Sequence, residues 1–150
     1  MKFSNIQKGF TLIELVIVFA IIVILAGISL ASFRNIQPNI KLNGAARNLV
    51  TDLRYAQQLA IAEQIDYGVF FSTSTHGYKI LKHENTTTTI KVVSLPGGIS
   101  YGSITPLTGY EMRFNSYGAV KEEGSISLIN DQNTSTTVTV SPSGFVKISH

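Results

Sequence analysis

The feature that most constrains this chain is an apolar run near its N-terminus, Phe10 to Phe33, broken by one carboxylate, Glu14. Over those 24 residues the other interruptions are Thr11, Gly27, Ser29 and Ser32. A helix of that length rises about 36 Å, enough for a hydrocarbon core of ~30 Å. Three roles compete for it. It could be a secretory signal peptide cut at a small-x-small site such as Ser29-Leu30-Ala31, a plain membrane anchor, or a membrane helix that also assembles. Glu14 weighs against the first two. An acidic side chain near the centre of a membrane helix costs at least ~2.5–3.5 kcal/mol on insertion scales, and less near an end. Neither a signal peptide nor a plain anchor gains anything from it.

No Lys, Arg or His lies between Lys8 and Arg34, so the chain offers Glu14 no counter-charge within one turn. The partner must come from another molecule or be created by processing. A cut after Gly9 does both. It removes the leader charges Lys2 and Lys8 and exposes a new α-amine on Phe10. Placed beside Glu14 of a neighbouring subunit, that amine neutralises the carboxylate, and each charge relieves the other's desolvation. Gly9 gives a protease an extended, uncrowded backbone at the cut. Charge alone leaves an assembly helix and a plain anchor both open.

The octapeptide "KGFTLIEL" at 8–15 resembles the prepilin leader of type IV pilins and type II secretion pseudopilins. The resemblance implies a scissile bond at Gly9–Phe10, cut by a membrane aspartyl protease that also N-methylates Phe10. It also implies that Glu14 is the fifth residue of the mature chain and sets assembly register.

Beyond Arg34 the pattern changes. Leu42, Ala46, Leu49, Leu53, Ala56 and Ala60 recur at spacings of 4, 3, 4, 3 and 4, which places them on one face of a helix. Asn48, Thr51, Asp52, Gln58 and Glu63 fall off that stripe. Pro38 suits a kink or a helix start, and Asn39 a cap. The stripe reads as a face packed on a sheet in preference to an intersubunit coiled coil.

From Asp66 onward turn signals recur: Thr75-His76-Gly77, Pro96-Gly97-Gly98, Pro106 to Gly109, Tyr117-Gly118, Glu123-Gly124, Asn130 to Asn133 and Pro142-Ser143-Gly144. Short alternating runs lie between them. Met112 pairs with Phe114, Ile126 with Leu128, Val138 with Val140, and Val146 with Ile148. "NTTTT" at 85–89 reads as an exposed loop or hairpin edge. The expectation is one antiparallel sheet of about six or seven short strands with one face under the helix.

"AARNLVTDLRYAQQLAI", "MRFNSYGAV", "SISLI" and the closing "VTVSPSGFVKI" are similar to the helix and C-terminal strands of GspH/FimT-type minor pseudopilins. Three departures stand out. Ala31-Ser32-Phe33 replaces a common Pro-Ser-Phe, removing a helix break. Gln57 stands where relatives often carry a second arginine after Arg54. The turn after Gly144 reads Phe145-Val146-Lys147 in place of the arginine-rich turn of members linked to DNA uptake.

Composition bounds the rest. With no cysteine, thiol and disulfide chemistry are absent. Net charge is +3, but from Phe10 onward there are 10 Lys+Arg against 9 Asp+Glu, so the basic balance says little about nucleic acid. His76, His83 and His150 are scattered; the first two read as solvated loop residues. Glu122-Glu123 reads as a charged turn, and the single carboxylate in Asn130–Asn133 is too little for a calcium site. No enzyme activity and no cofactor is expected. A DNA-binding surface would need Arg113, Lys121 and Lys147 to cluster with Tyr117 and Phe145, diluted by Glu111, Glu122 and Glu123.

The sequence therefore predicts an α+β chain: a leader at 1–9, a transmembrane assembly helix at 10–36, an amphipathic helix at 37–64 and an antiparallel β domain at 65–150. The resemblance implies a minor pilin or pseudopilin, near a filament tip, single-pass in the inner membrane with its C-terminal domain outside the cytoplasm. The partners it implies are sibling subunits, a prepilin peptidase, an inner-membrane assembly platform and membrane lipid. A DNA-binding minor pilin for transformation is the alternative. Arg34 and Lys41 follow the helix, so the charge bias that would orient it is weak.

Overall fold

The computed structural model describes residues 9–105 and 108–149, without the side chains of 28–35. Lys2, Lys8, Pro106 and His150 lie outside the described residues. The chain forms one long helix and eight strands, with a short 3₁₀ turn at Thr108–Tyr110. It divides into two compact units, Met1–Gln37 and Pro38–His150. Helix α1 (Leu12–Glu63) contributes to both, and Pro38 sits inside it. The expected start or cap at Pro38-Asn39 is therefore corrected. The missing Pro38 N–H falls at the boundary between the units, and Asn39 serves the β domain instead: its Oδ1 accepts from Asn130 Nδ2 at 2.9 Å.

In the first unit the leucine, isoleucine, valine and phenylalanine side chains from Leu12 to Leu25 are all exposed. Among the described residues no helix is long and apolar enough to cross a membrane. The apolar part with described side chains, Leu12 to Gly27, rises roughly 24 Å, short of a ~30 Å core. The sequence continues apolar from Ile28 to Phe33.

In the second unit the six predicted stripe residues are buried to 1% exposure or less. Ala45 and Val50 extend the stripe. The strands are β1 (Asp66–Ser72), β2 (Gly77–His83), β3 (Thr87–Ser94), β4 (Ile99–Thr105), β5 (Glu111–Phe114), β6 (Gly124–Asn130), β7 (Ser135–Val140) and β8 (Val146–Ser149). They form two antiparallel sheets ordered β3-β2-β1-β5 and β4-β6-β7-β8, not the single sheet of six or seven strands expected. The reason is topological. Alternation tells which side of a strand is buried but not which strand it pairs with. After the turn at Pro96–Gly98 the chain leaves the first sheet and pairs β4 with β6, yet β5 returns to pair with β1. Tyr67, Val69, Phe71, Tyr78, Ile80, Met112 and Phe114 from one sheet join Ile126, Leu128, Val138, Val140 and Val146 from the other in one core with the helix stripe. The threonine run at 87–89 becomes the start of β3, an exposed edge strand.

Candidate functional site

The first candidate is the helix N-terminus. Thr11 stands just before α1, and Glu14 is its third residue. The Thr11 hydroxyl accepts from the Glu14 N–H at 3.3 Å, and the Glu14 carboxylate accepts from the Thr11 N–H at 3.4 Å. This reciprocal pair is a capping box, which satisfies two of the orphan donors of a helix start. The Thr-x-x-Glu spacing in "TLIE" carries that signal, and charge reasoning alone missed it. Glu14 thus has a local neutral partner, but no ion pair among the described residues. Gly9 and Phe10 precede the helix, and Phe10 is 89% exposed. Among the described residues, a Cβ at Gly9 would meet nothing within 4 Å.

The second candidate is the set of polar ties that fix the amphipathic half of α1 to the sheets. Asp52, predicted off the buried stripe, is only 5% exposed. Its carboxylate accepts from the Tyr78 hydroxyl at 2.8 Å and pairs with Lys91 Nζ at 2.7 Å, reaching β2 and β3 together. Burial, and then Asp52, push the Tyr78 hydroxyl far above its ordinary range, so it stays a donor. Gln57, the departure from the arginine pattern, donates through Nε2 to the Gly118 carbonyl at 2.7 Å and the Gly144 carbonyl at 3.2 Å. It pins two turns from different parts of the chain against the helix. Gly144 has φ 81, and a Cβ there would collide with the Gly118 carbonyl; only glycine suits that position.

The predicted basic residues Arg113 and Lys147 lie on different sheets. Arg113 on β5 and Lys121 line a cleft of about 400 Å³ with Thr108, Glu111 and Glu122. Glu122 accepts from the Thr108 N–H at 2.9 Å. Lys147 is on β8 of the other sheet, opposite Thr139. The charges of the cleft balance, two against two. His83 corrects its expected place in a solvated loop: it ends β2, with Nε2 2.5 Å from Glu111 Oε1 and Nδ1 3.1 Å from Thr87 Oγ1. Gly68 makes this reach possible, because a side chain there would run into the Glu111 carboxylate crossing β1. His76 lies in the exposed turn before β2. Asn130 Oδ1 accepts from the N–H groups of Gln132 and Thr134 at 3.0 and 2.9 Å, so this oxygen organises a turn. Among the described residues no three His, Cys, Asp or Glu side chains are grouped to hold a metal ion.

An exposed apolar helix leading into an amphipathic half, packed on two antiparallel sheets, is the architecture of pilin-type subunits. The structure is similar to the minor pseudopilin EpsH from the type 2 secretion system of Vibrio cholerae, with TM-score 0.62 and 15% identity over 73% of this chain and 96% of that one. It is equally similar to the type IV minor pilin FimU of Pseudomonas aeruginosa, with TM-score 0.62 and 12% identity over 75% and 90% of the two chains. At these identities the likeness establishes the fold. Sequence comparison goes further: residues 4–30 match the prokaryotic N-terminal methylation motif and residues 45–144 match type II transport protein GspH. The chain belongs to the GspH family, and it carries the N-terminal signature of membrane-anchored pilin-type subunits. Among curated protein sequences none matches significantly.

Proposed function

We propose that this chain is a minor pseudopilin or pilin subunit, processed after Gly9, N-methylated at Phe10 and assembled through its N-terminal helix near the tip of a filament. The observation that carries this reading is the methylation motif at 4–30 standing directly ahead of a GspH domain at 45–144. The leader is 1–9, the membrane and assembly helix 10–36, the amphipathic helix 37–64 and the β domain 65–150. Lys2 and Lys8 hold the leader on the cytoplasmic side until a prepilin peptidase removes it. The chain waits in the inner membrane as a single-pass protein, with its β domain on the far side. An assembly platform then draws its helix out of lipid and against the helices of sibling subunits.

The chemistry follows from Glu14. Before cleavage its carboxylate is held by Thr11. In the filament the Phe10 amine of a neighbour replaces that weak neutral contact with a charge-assisted one, and the pair fixes axial register. Ion pairing gains strength where water is excluded, but only if each charge meets its partner. Misregistered subunits leave Glu14 unpaired among apolar side chains and are disfavoured.

Replacing Glu14 by alanine tests the reading. Cleavage and methylation should continue while incorporation into filaments falls severalfold. Normal incorporation would refute the register role. The DNA-binding alternative lacks a comparable support, because Arg113 and Lys121 share their cleft with two carboxylates and Lys147 stands on the other sheet.

A further inference from the structure

We propose that Asn133, in the turn between β6 and β7, is an N-glycosylation site that takes an oligosaccharide from a polyisoprenyl-pyrophosphate donor in the membrane, in preference to Asn85. The inference rests on the proposed placement of the β domain outside the cytoplasm and adds a covalent modification to it. Asn-x-Ser/Thr, the acceptor pattern for N-linked glycans, occurs twice in the chain, at Asn85-Thr86-Thr87 and Asn133-Thr134-Ser135. Both asparagines are exposed between strands.

The chemistry separates the two. In the transfer, Asn Nδ2 bonds to the anomeric carbon of the glycan and gives up one proton. The anomeric C–O bond breaks, and the polyisoprenyl pyrophosphate leaves with the electron pair. The hydroxyl two residues on is the handle of the acceptor pattern. Among the described residues, neither the Asn133 side-chain amide nor the Ser135 hydroxyl has a hydrogen-bond partner. Asn130 holds the turn in their place, its Oδ1 accepting from the N–H groups of Gln132 and Thr134. At the other sequence the hydroxyl is engaged, with Thr87 Oγ1 3.1 Å from His83 Nδ1. Asp131, two residues ahead of Asn133, is also exposed. An enzyme groove that holds a pyrophosphate is cationic and attracts this carboxylate; the same place ahead of Asn85 is His83.

Position separates them further. Asn130 Nδ2 donates to Asn39 Oδ1 at 2.9 Å, so the β6–β7 turn lies where α1 enters the β domain. Asn39 comes six residues after the apolar run ends at Phe33. Asn85 follows β2, whose Lys82 pairs with Glu63, the last residue of α1. Asn39 and Glu63 are 24 residues apart, about 36 Å along the helix. A donor anchored in lipid is found at the end where the chain leaves the membrane. The Asn133 sequence is at that end of the domain, and the Asn85 sequence is at the other.

Tryptic mass spectrometry of the full-length chain recovered from its own membrane tests this. Cleavage after Lys121 and Lys147 isolates Asn133 in peptide 122–147, and cleavage after Lys82 and Lys91 isolates Asn85 in peptide 83–91. Peptide 122–147 should be heavier by an oligosaccharide whose attachment fragments to Asn133, and peptide 83–91 should be bare. Asn133→Gln and Ser135→Ala should each abolish the added mass, while Ser135→Thr should keep it. Asn133 has φ 59, a conformation that suits asparagine better than glutamine. The Ser135 variants leave that residue untouched and keep the test independent of the turn. A bare peptide 122–147, a glycan that survives Asn133→Gln on a neighbouring hydroxyl, or equal occupancy at Asn85 would overturn the proposal. The same digest reports the N-terminus. A bare peptide 122–147 beside a methylated Phe10 start would overturn the glycosylation and leave the processing reading standing; beside a Met1 start it would overturn both.

Discussion

Gln57 touches two carbonyls that are 26 residues apart in sequence, those of Gly118 and Gly144. Truncating it to alanine leaves both acceptors at a helix–turn junction without their donor. The cost expected for such groups is about 1–3 kcal/mol, read as a lower thermal midpoint. Gly144→Ala should cost at least as much, because it combines a left-handed backbone with a collision at the Gly118 carbonyl. Tyr78→Phe deletes the hydroxyl that Asp52 accepts from. Hydrogen bonds to charged groups contribute about 1.5–3 kcal/mol, so the loss should exceed that of an exposed tyrosine such as Tyr117 changed in the same way; equal losses would contradict the role given to Asp52. These ties were poorly legible beforehand. Asp52 and Gln57 carry no periodic signal, since a buried polar residue looks like a surface one until its partners on distant strands are known. Glu14 was conspicuous because a charge interrupts an apolar run, yet its capping partner Thr11 went unread.

Secondary elements were more legible than their pairing. The stripe from Leu42 to Ala60 needs only local geometry, and helical spacing found it in full. Burial within β5, β6 and β7 followed from alternation in the same way. The division into two sheets did not, because β1 must find β5 across some forty residues of chain that build β2, β3 and β4. The end of α1 supports a pH prediction. Glu63 lies 2.9 Å from Lys82 on β2. The Lys82 ammonium, and then the Tyr67 hydroxyl, hold the Glu63 carboxyl below its usual value of 4.5. A lowered folded-state pKa stabilises above the ordinary carboxylate range, and that stabilisation is lost as pH falls through the folded value. Denaturant midpoints measured from pH 6 down to pH 3 should therefore drop less in Glu63→Gln than in the unchanged chain. An identical drop would remove this pair from the acid response. Both groups are open to water, so the difference should also shrink with added salt.

At the scale of the molecule, two halves answer to different solvents. The described apolar side chains of the first unit are exposed from Leu12 to Leu25, whereas the second unit buries one continuous core. Exposed apolar surface of that extent marks a site for lipid or a partner; in the proposed function it is covered by lipid before assembly and by other helices after it. In the proposed function, removing the leader separates those two states by supplying an amine to pair with Glu14. Glu14→Gln, which keeps the size and the capping geometry but not the charge, should assemble nearly as poorly as Glu14→Ala. Full assembly by the glutamine variant would show that capping, not ion pairing, is what the position supplies. The account as a whole stands on the state of the N-terminus. Mass spectrometry of the protein recovered from its own membrane, read at the first peptide, measures that state directly. The account predicts a chain that begins at Phe10 and is one methyl group heavier than the sequence requires; a chain that begins at Met1, or near Ser32, would contradict it.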